Sequence, residues 1–267
     1  MTSDEKVTTV ALRGRKGGRK IAAVTAYDVA FAALADDAGV DVILVGDSAG
    51  MVLQGHSSTI PVTIDEIAYH TRAVMRGVRR AHVVADMPFM SYQASVEDGM
   101  RAAGRLMKEG GAEAVKIEGG VEVVDLVARL TRAGVPVMGH VGLTPQSVHQ
   151  LGGFKVQGRT DVGAQEIRDG ALALADAGAY AIVVESVPRA LGAAVTQAVS
   201  VPTIGIGAGR ACDGQVLVMH DLLGLQPAWK PRFVRRYAEL GAAAQAAFAA
   251  FAADVEAGRF PSDDESF

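Results

Sequence analysis

Two apolar runs in this chain each stop on an acid. In "ILVGDSA" (Ile43 to Ala49) the run leads into Asp47, and in "VVADMPF" (Val83 to Phe89) it leads into Asp86. One aspartate at such a place reads most simply as a helix N-cap; two at matching places suggest a shared site. Paired carboxylates offer hard oxygen ligands. With few other protein donors beside them, the remaining positions fall to water and substrate, the pattern expected for Mg²⁺. Zinc is disfavoured, because the chain has one cysteine, Cys212, and no histidine pair at ligand spacing. His56, His70, His82, His149 and His220 therefore read as structural or surface residues.

Other apolar runs end in the same way. In chain order their ends carry Tyr27 with Asp28, Asp47 with Ser48, Asp86, Lys116 with Glu118, His140, and Glu185. Each has a plain explanation when taken alone, as a helix cap or a solvated salt bridge. Taken together they do not, because strand alternation puts Lys116 and Glu118 on one face of the otherwise apolar "AVKIEG", aimed at a common mouth. A divalent ion on Asp47 and Asp86 that chelates a 2-oxo acid would acidify the carbon beside the carbonyl. Enolisation then needs a base. Glu185 closes the hydrophobic run "AYAIVVE", where desolvation raises a carboxyl group's affinity for a proton. Lys116 and Ser48 are placed to hold either the substrate carboxylate or the developing enolate charge.

Positioning so many strand ends on one rim requires a particular frame. The segments "DDAGVDVILVGD", "KEGGAEAVKIEG", "TRAGVPVMGHVG" and "ADAGAYAIVVES" each read as a helix end with a capping glycine, a tight turn and a buried strand. The pattern predicts strands at 21–27, 41–47, 82–87, 113–118, 135–140, 180–185, 201–206 and 215–219, the last being the least marked. Helices are expected at 28–38, 64–78, 95–109, 121–133, 161–177 and 188–199. Continuous Val/Ile-rich strands alternating with helices argue for a parallel sheet covered on both faces. Eight of them without a linker predict an α/β fold, a single (β/α)₈ TIM barrel, with an open doubly wound sheet as the alternative. The expected organisation is an N-terminal arm over 1–20, the barrel with C-terminal helices over 21–260, and an acidic tail over 261–267. The glycine-rich "GIGAGR" (Gly205 to Arg210) comes late and has no helix following it. It therefore reads as a loop after the seventh strand and not as a dinucleotide fingerprint.

Composition narrows the partners. The 267 residues are 49% hydrophobic, enough for a large core, and a formal charge of −4 offers no basic field for nucleic acid. "RGRKGGRK" is basic but short, and reads as solvated or subunit-facing. One cysteine asks for no oxidising compartment, and the cytoplasm is the expected location. No run reaches the roughly 20 apolar residues of a membrane span. The Ala-rich "LGAAAQAAFAAFAADV" instead suits a helix packed on protein. A small molecule is the expected partner.

The motifs "VTAYD", "VGDSAGMVLQG", "PVTIDEIAYHTRAV", "VADMPFMSY", "AVKIEGG", "GHVGLTPQSV", "GGFKVQG", "VVESVP", "IGIGAG" and "DLLGL" together closely resemble the ketopantoate hydroxymethyltransferase family, from about Val7 to Pro261. The resemblance implies a (β/α)₈ barrel of the phosphoenolpyruvate/pyruvate superfamily. It implies transfer of a hydroxymethyl group from 5,10-methylenetetrahydrofolate to 3-methyl-2-oxobutanoate, giving 2-dehydropantoate for pantothenate and coenzyme A synthesis. By motif matching it implies Mg²⁺ on Asp47 and Asp86, with Glu118 as an outer-sphere neighbour of the metal. Ser48 and Lys116 are implied at the substrate carboxylate, His140 on the substrate side, and Glu185 as the base that deprotonates C3. Tyr27 and the "GIGAG" loop are implied as folate-side elements. A ring-like homo-oligomer, often a decamer, is implied, with subunit contacts at the N-terminal arm and the C-terminal helices. One departure is Ala49 in "GDSAG", where the family often has leucine.

Two other readings compete. One is another Mg²⁺-dependent 2-oxo-acid C–C lyase or mutase of the same superfamily, whose loop cysteine finds only Cys212 as a counterpart. The other is a catalytically silent barrel scaffold, which would be marked by loss of a strand-end carboxylate. Asp47, Asp86 and Glu185 are all present.

Overall fold

Short β-branched runs separated by amphipathic segments leave each strand apolar on both faces, and such strands are stable only when both faces are covered. The computed structural model, which describes residues 5–226 and 231–267, satisfies this with a barrel. The chain divides into two compact units, Met1–Leu217 and Val218–Phe267, each described by itself.

In the first unit the strands are β1 (Ile21–Thr25), β2 (Val42–Val45), β3 (His82–Asp86), β4 (Ala114–Glu118), β5 (Val137–Gly142), β6 (Ala181–Glu185), β7 (Thr203–Ile206) and β8 (Gly214–Leu217). They close in sequence order, all parallel, with β8 pairing to β1. The helices are α1 (Thr9–Arg13), α2 (Val29–Asp37), α3 (Ala49–Val52), α4 (Ile64–Gly77), α5 (Val96–Lys108), α6 (Val124–Arg132), α7 (Asp161–Asp176) and α8 (Arg189–Ala198). The (β/α)₈ barrel expected from the pattern is thus the observed fold. The turn chemistry is also as read: Gly39, Gly111, Gly134 and Gly178, one in each of the four repeated segments, have positive φ. At Gly178 a Cβ would also lie 2.9 Å from Thr131 Oγ1, so both conformation and space select glycine.

Alternation along the strands sorts side chains into two cores. Ile43, Val45, Val83, Val115, Ile117, Val137, Ile182 and Val184 face outward and pack against the helices. Leu44, Val84, Ala114, Met138, Ala181, Val183 and Ile204 fill the barrel interior, together with Val7 and Leu12 from the N-terminal arm. The arm is therefore a floor for the barrel. Its charges are held by acids that precede or begin strands: Lys6 on Glu113 at 2.9 Å, Arg15 on Asp41 at 2.8 Å, and Lys16 on Asp213 at 3.0 Å. The basic cluster expected to be solvated or subunit-facing is instead in part clamped to the barrel, because it lies beside buried carboxylates that need countercharge.

The second unit contains α9 (Met219–Leu223), ended by left-handed Gly224, and α10 (Leu240–Glu256). The Ala-rich segment is a helix as read, but α10 has no buried residue in this chain, and Phe248 and Phe251 are exposed. Among the described residues, no helix is long and apolar enough to cross a membrane.

Candidate active site

With the interior face set by even-numbered positions on β2 to β4, the same period carries polar side chains onward once the apolar floor ends. Above Val84, Ala114 and Met138 come Asp86, Lys116, Glu118 and His140, all buried, and above Val183 comes Glu185. Register then pairs them: Asp86 lies opposite Lys116 and Glu118 opposite His140. Lys116 Nζ is 2.8 Å from Asp86 Oδ1 and 3.5 Å from Glu118 Oε1. His140 Nδ1 is 3.4 Å from Glu118 Oε1, and its Nε2 is 3.2 Å from Glu185 Oε2. The pair that sequence alone would call a solvated salt bridge is fully enclosed.

Asp47 joins this network from the turn after β2. Its backbone N–H donates to Asp86 Oδ2 at 3.0 Å, and the N-cap position of the helix that follows is Ser48, not Asp47. Gly46 leaves room for the Ser48 hydroxyl, since a Cβ there would lie 2.7 Å from Ser48 Oγ. Ser48, at the start of α3, makes no capping bond, and its hydroxyl pairs with Tyr27 OH at 2.8 Å. Asp28, by contrast, is a cap: its side chain accepts from Phe31 N–H at the start of α2. Ala49, the departure from the family pattern, is buried in the first turn of α3.

Charge in this enclosure is unbalanced. Burial, then Asp86 and Glu118, hold the Asp47 carboxyl well above the usual carboxylate range. Burial opposes charge on Lys116 and on Glu118 too, but their neighbours outweigh it. Asp86, Glu118 and Asp47 raise the lysine, while Lys116, His140 and the Gln146 backbone N–H lower the glutamate. Burial and Lys116 also oppose protonation of His140, yet Glu118 and Glu185 outweigh them and push it up to about 9. Four carboxyl groups thus face one ammonium and one imidazole.

Several buried atoms here, Asp86 Oδ1, Glu118 Oε1 and both ring nitrogens of His140, lack an aligned hydrogen bond. Hard oxygen donors with surplus negative charge, several of them met only by ion-pair contacts, are what a divalent cation and a carboxylate-bearing substrate would complete. Among the described residues no three His, Cys, Asp or Glu side chains form a preformed metal cage. The hard oxygens of Asp47 and Asp86 are the donor type of an ion that would take its other ligands from water or substrate.

Three participants were not anticipated. Gln146, in the turn after β5, donates from Nε2 to Asp47 Oδ2 and Met87 O, both at 2.9 Å, and from its backbone to Glu118 Oε2 at 3.0 Å. Tyr92 is buried against Glu118 and Gln146. Gly46 is the third. The remaining histidines stay outside the site. His56 and His149 are exposed, His70 pairs with Tyr27 O, His82 pairs with Tyr180 OH below the charged layer, and His220 lies in the second unit. The loop over 207–213 joins β7 directly to β8 with no helix, as read. Cys212 is buried and free.

The model of the family described as ketopantoate hydroxymethyltransferase matches residues 6–263. A protein from Carboxydothermus hydrogenoformans named 3-methyl-2-oxobutanoate hydroxymethyltransferase is 55% identical over 264 residues, 98% of this chain and 96% of the relative. One of the same name from Moorella thermoacetica is 54% identical over the whole of both chains. Among solved structures, phosphonopyruvate hydrolase covers 97% of this chain and 93% of its own at a TM-score of 0.64 and 17% identity. 2,3-Dimethylmalate lyase covers 97% and 91% at 0.60 and 17%. At that identity these structures speak to the fold alone.

Proposed function

The chain belongs to the ketopantoate hydroxymethyltransferase family, and from that premise we propose that the mouth of its barrel transfers a hydroxymethyl group from 5,10-methylenetetrahydrofolate to 3-methyl-2-oxobutanoate, giving 2-dehydropantoate. The observation that carries this reading to particular residues is the single connected network of Asp47, Asp86, Lys116, Glu118, His140 and Glu185 on adjacent strand ends.

Asp47 and Asp86 would hold Mg²⁺, which when bound polarises the 2-oxo group and acidifies C3. Glu118, tied by Gln146 and facing Lys116, would be an outer neighbour of that ion. Lys116 and the Ser48 hydroxyl supply the cation and donor for the substrate carboxylate. Glu185 takes the C3 proton. Its side chain is 16% exposed, more open than Glu118 at 3%, so it can meet a substrate entering the mouth. His140, set between Glu118 and Glu185, orients the base and steadies its charge before proton transfer. C3 then bonds to the one-carbon unit, both of that carbon's C–N bonds to the folate break, water supplies the hydroxyl oxygen, and the proton taken from C3 and one proton of that water end on the two nitrogens of the departing tetrahydrofolate. Tyr27, bonded to Ser48, and the 207–213 loop are assigned to the folate side. We assign the activity to the cytoplasm and to a homo-oligomer. Self-association is supported by the exposed Phe248, Phe251 and Val255 of α10.

The test is direct. Purified protein with Mg²⁺, 3-methyl-2-oxobutanoate and [¹³C]methylenetetrahydrofolate should yield a labelled hydroxymethyl carbon in 2-dehydropantoate, and EDTA should abolish it. Cleavage or rearrangement of the oxo acid without label transfer would point to lyase or mutase chemistry instead.

A further inference from the structure

Gln146 lies in the turn Pro145–Ser147, is 4% exposed, and has its side-chain amide set among four polar neighbours. The two N–H groups face two acceptors, Asp47 Oδ2 and Met87 O, each at 2.9 Å. The carbonyl oxygen accepts from Gln93 Nε2 at 3.0 Å and shares with Glu118 O the single proton of Tyr92 OH, which lies 2.9 Å from each. Turning the amide over would set oxygen against a carboxylate and a carbonyl, so the network fixes its orientation. Its backbone N–H meanwhile holds Glu118 Oε2 at 3.0 Å. One residue thereby ties the ends of β2, β3, β4 and β5 together at the point where the acids converge.

The consequence for Asp47 is specific. Accepting at Oδ2 restrains the rotation of the Asp47 carboxylate, and among the described residues no hydrogen bond is seen to its Oδ1. The same carboxyl group lies within reach of the charges of Asp86, Glu118 and Lys116. We propose that Gln146 is a positioning residue for cation binding: it touches neither ion nor substrate, and it presents Asp47 Oδ1 while keeping Glu118 back as an outer neighbour. This inference rests on the reading that Asp47 and Asp86 hold a divalent ion. Outer partners of this kind, when removed, weaken metal affinity by about 10- to 100-fold.

The test uses the full-length protein with Mn²⁺ alone, read by the electron paramagnetic resonance signal of free ion, and melting temperatures taken in EDTA. Gln146→Met keeps the volume without donors, and Gln146→Glu keeps the shape with an acceptor facing Asp47. Both should bind Mn²⁺ at least about 10-fold more weakly than wild type. Gln93→Met removes one donor that orients the amide, from an exposed residue whose loss the fold tolerates, and should weaken Mn²⁺ binding a few-fold. Should the buried variants not fold, this one still reads the effect. Wild-type affinity in the folded variants, with only a lower melting temperature in EDTA, would assign Gln146 a purely structural role and overturn the proposal. Absence of Mn²⁺ binding by the wild type would overturn the metal reading itself, and the proposal with it.

Discussion

Nε2 of His140 lies 3.2 Å from Oε2 of Glu185, across the β5–β6 pair. The base assigned here is thus held by a ring that Glu118 anchors from its other side, and it faces a mouth where substrate can reach it. Glu185→Gln preserves this shape and removes basicity. The variant should keep Mn²⁺ and 3-methyl-2-oxobutanoate affinity while losing about 10²- to 10⁴-fold in C3 proton exchange, as measured by NMR.

Asp47 and Asp86 should part company when neutralised. Each loss should abolish the rise in melting temperature that a divalent ion gives the wild type, a rise corresponding to about 2.7 kcal/mol at a hundredfold excess over Kd. In EDTA they differ. Asp47→Asn relieves a carboxylate crowded by Asp86 and Glu118 and should leave stability unchanged or higher. Asp86→Asn breaks the buried pair with Lys116 and should cost about 3–5 kcal/mol, read by urea melts.

Gly46 is glycine for space. An added Cβ would lie 2.7 Å from Ser48 Oγ, so Gly46→Ala should cost about 1–3 kcal/mol. It should also reduce Mn²⁺ affinity, which an equally destabilising substitution far from the mouth would leave intact.

Asp213 anchors the N-terminal arm by accepting from Lys16 Nζ, Gly17 N and Thr203 N. Burial opposes its ionisation, but these donors outweigh it and hold the carboxyl below its ordinary value of 3.8. A folded-state value lower than the unfolded one stabilises the protein above about pH 4, and that gain is lost as pH falls through the folded value. Asp213→Asn should therefore cost about 1–3 kcal/mol at pH 7, and its deficit against wild type in urea melts should shrink below pH 3.8.

Much of this was legible in the chain because the relevant physics is local. The four glycines that end helices in the left-handed conformation announce the repeating unit, and apolar runs announce strands whose observed ends fall within two residues of those expected. The site was legible where a charged residue interrupts such a run, as at Lys116 and Glu118. It was not legible at Gln146. A neutral amide after a proline reads as a turn, and its role exists only through partners as far away in sequence as Asp47. Nor does a basic arm reveal that its partners are Asp41, Glu113 and Asp213, each brought to it only when the barrel closes. Asp28 and Asp47 look alike in sequence. A helix starts just after each, but only Asp28 has its carboxylate on the first-turn N–H, while Asp47 is one residue short of the cap and lies against a second carboxylate.

The most direct measurement is C3 deuterium exchange on 3-methyl-2-oxobutanoate in D₂O, followed by NMR with purified protein and Mg²⁺ and no folate present. Exchange that EDTA stops and Glu185→Gln abolishes is the predicted result. Wild-type exchange by Glu185→Gln would contradict the assignment of the base, and no exchange by the wild type under any divalent ion would contradict the enolising mechanism as a whole.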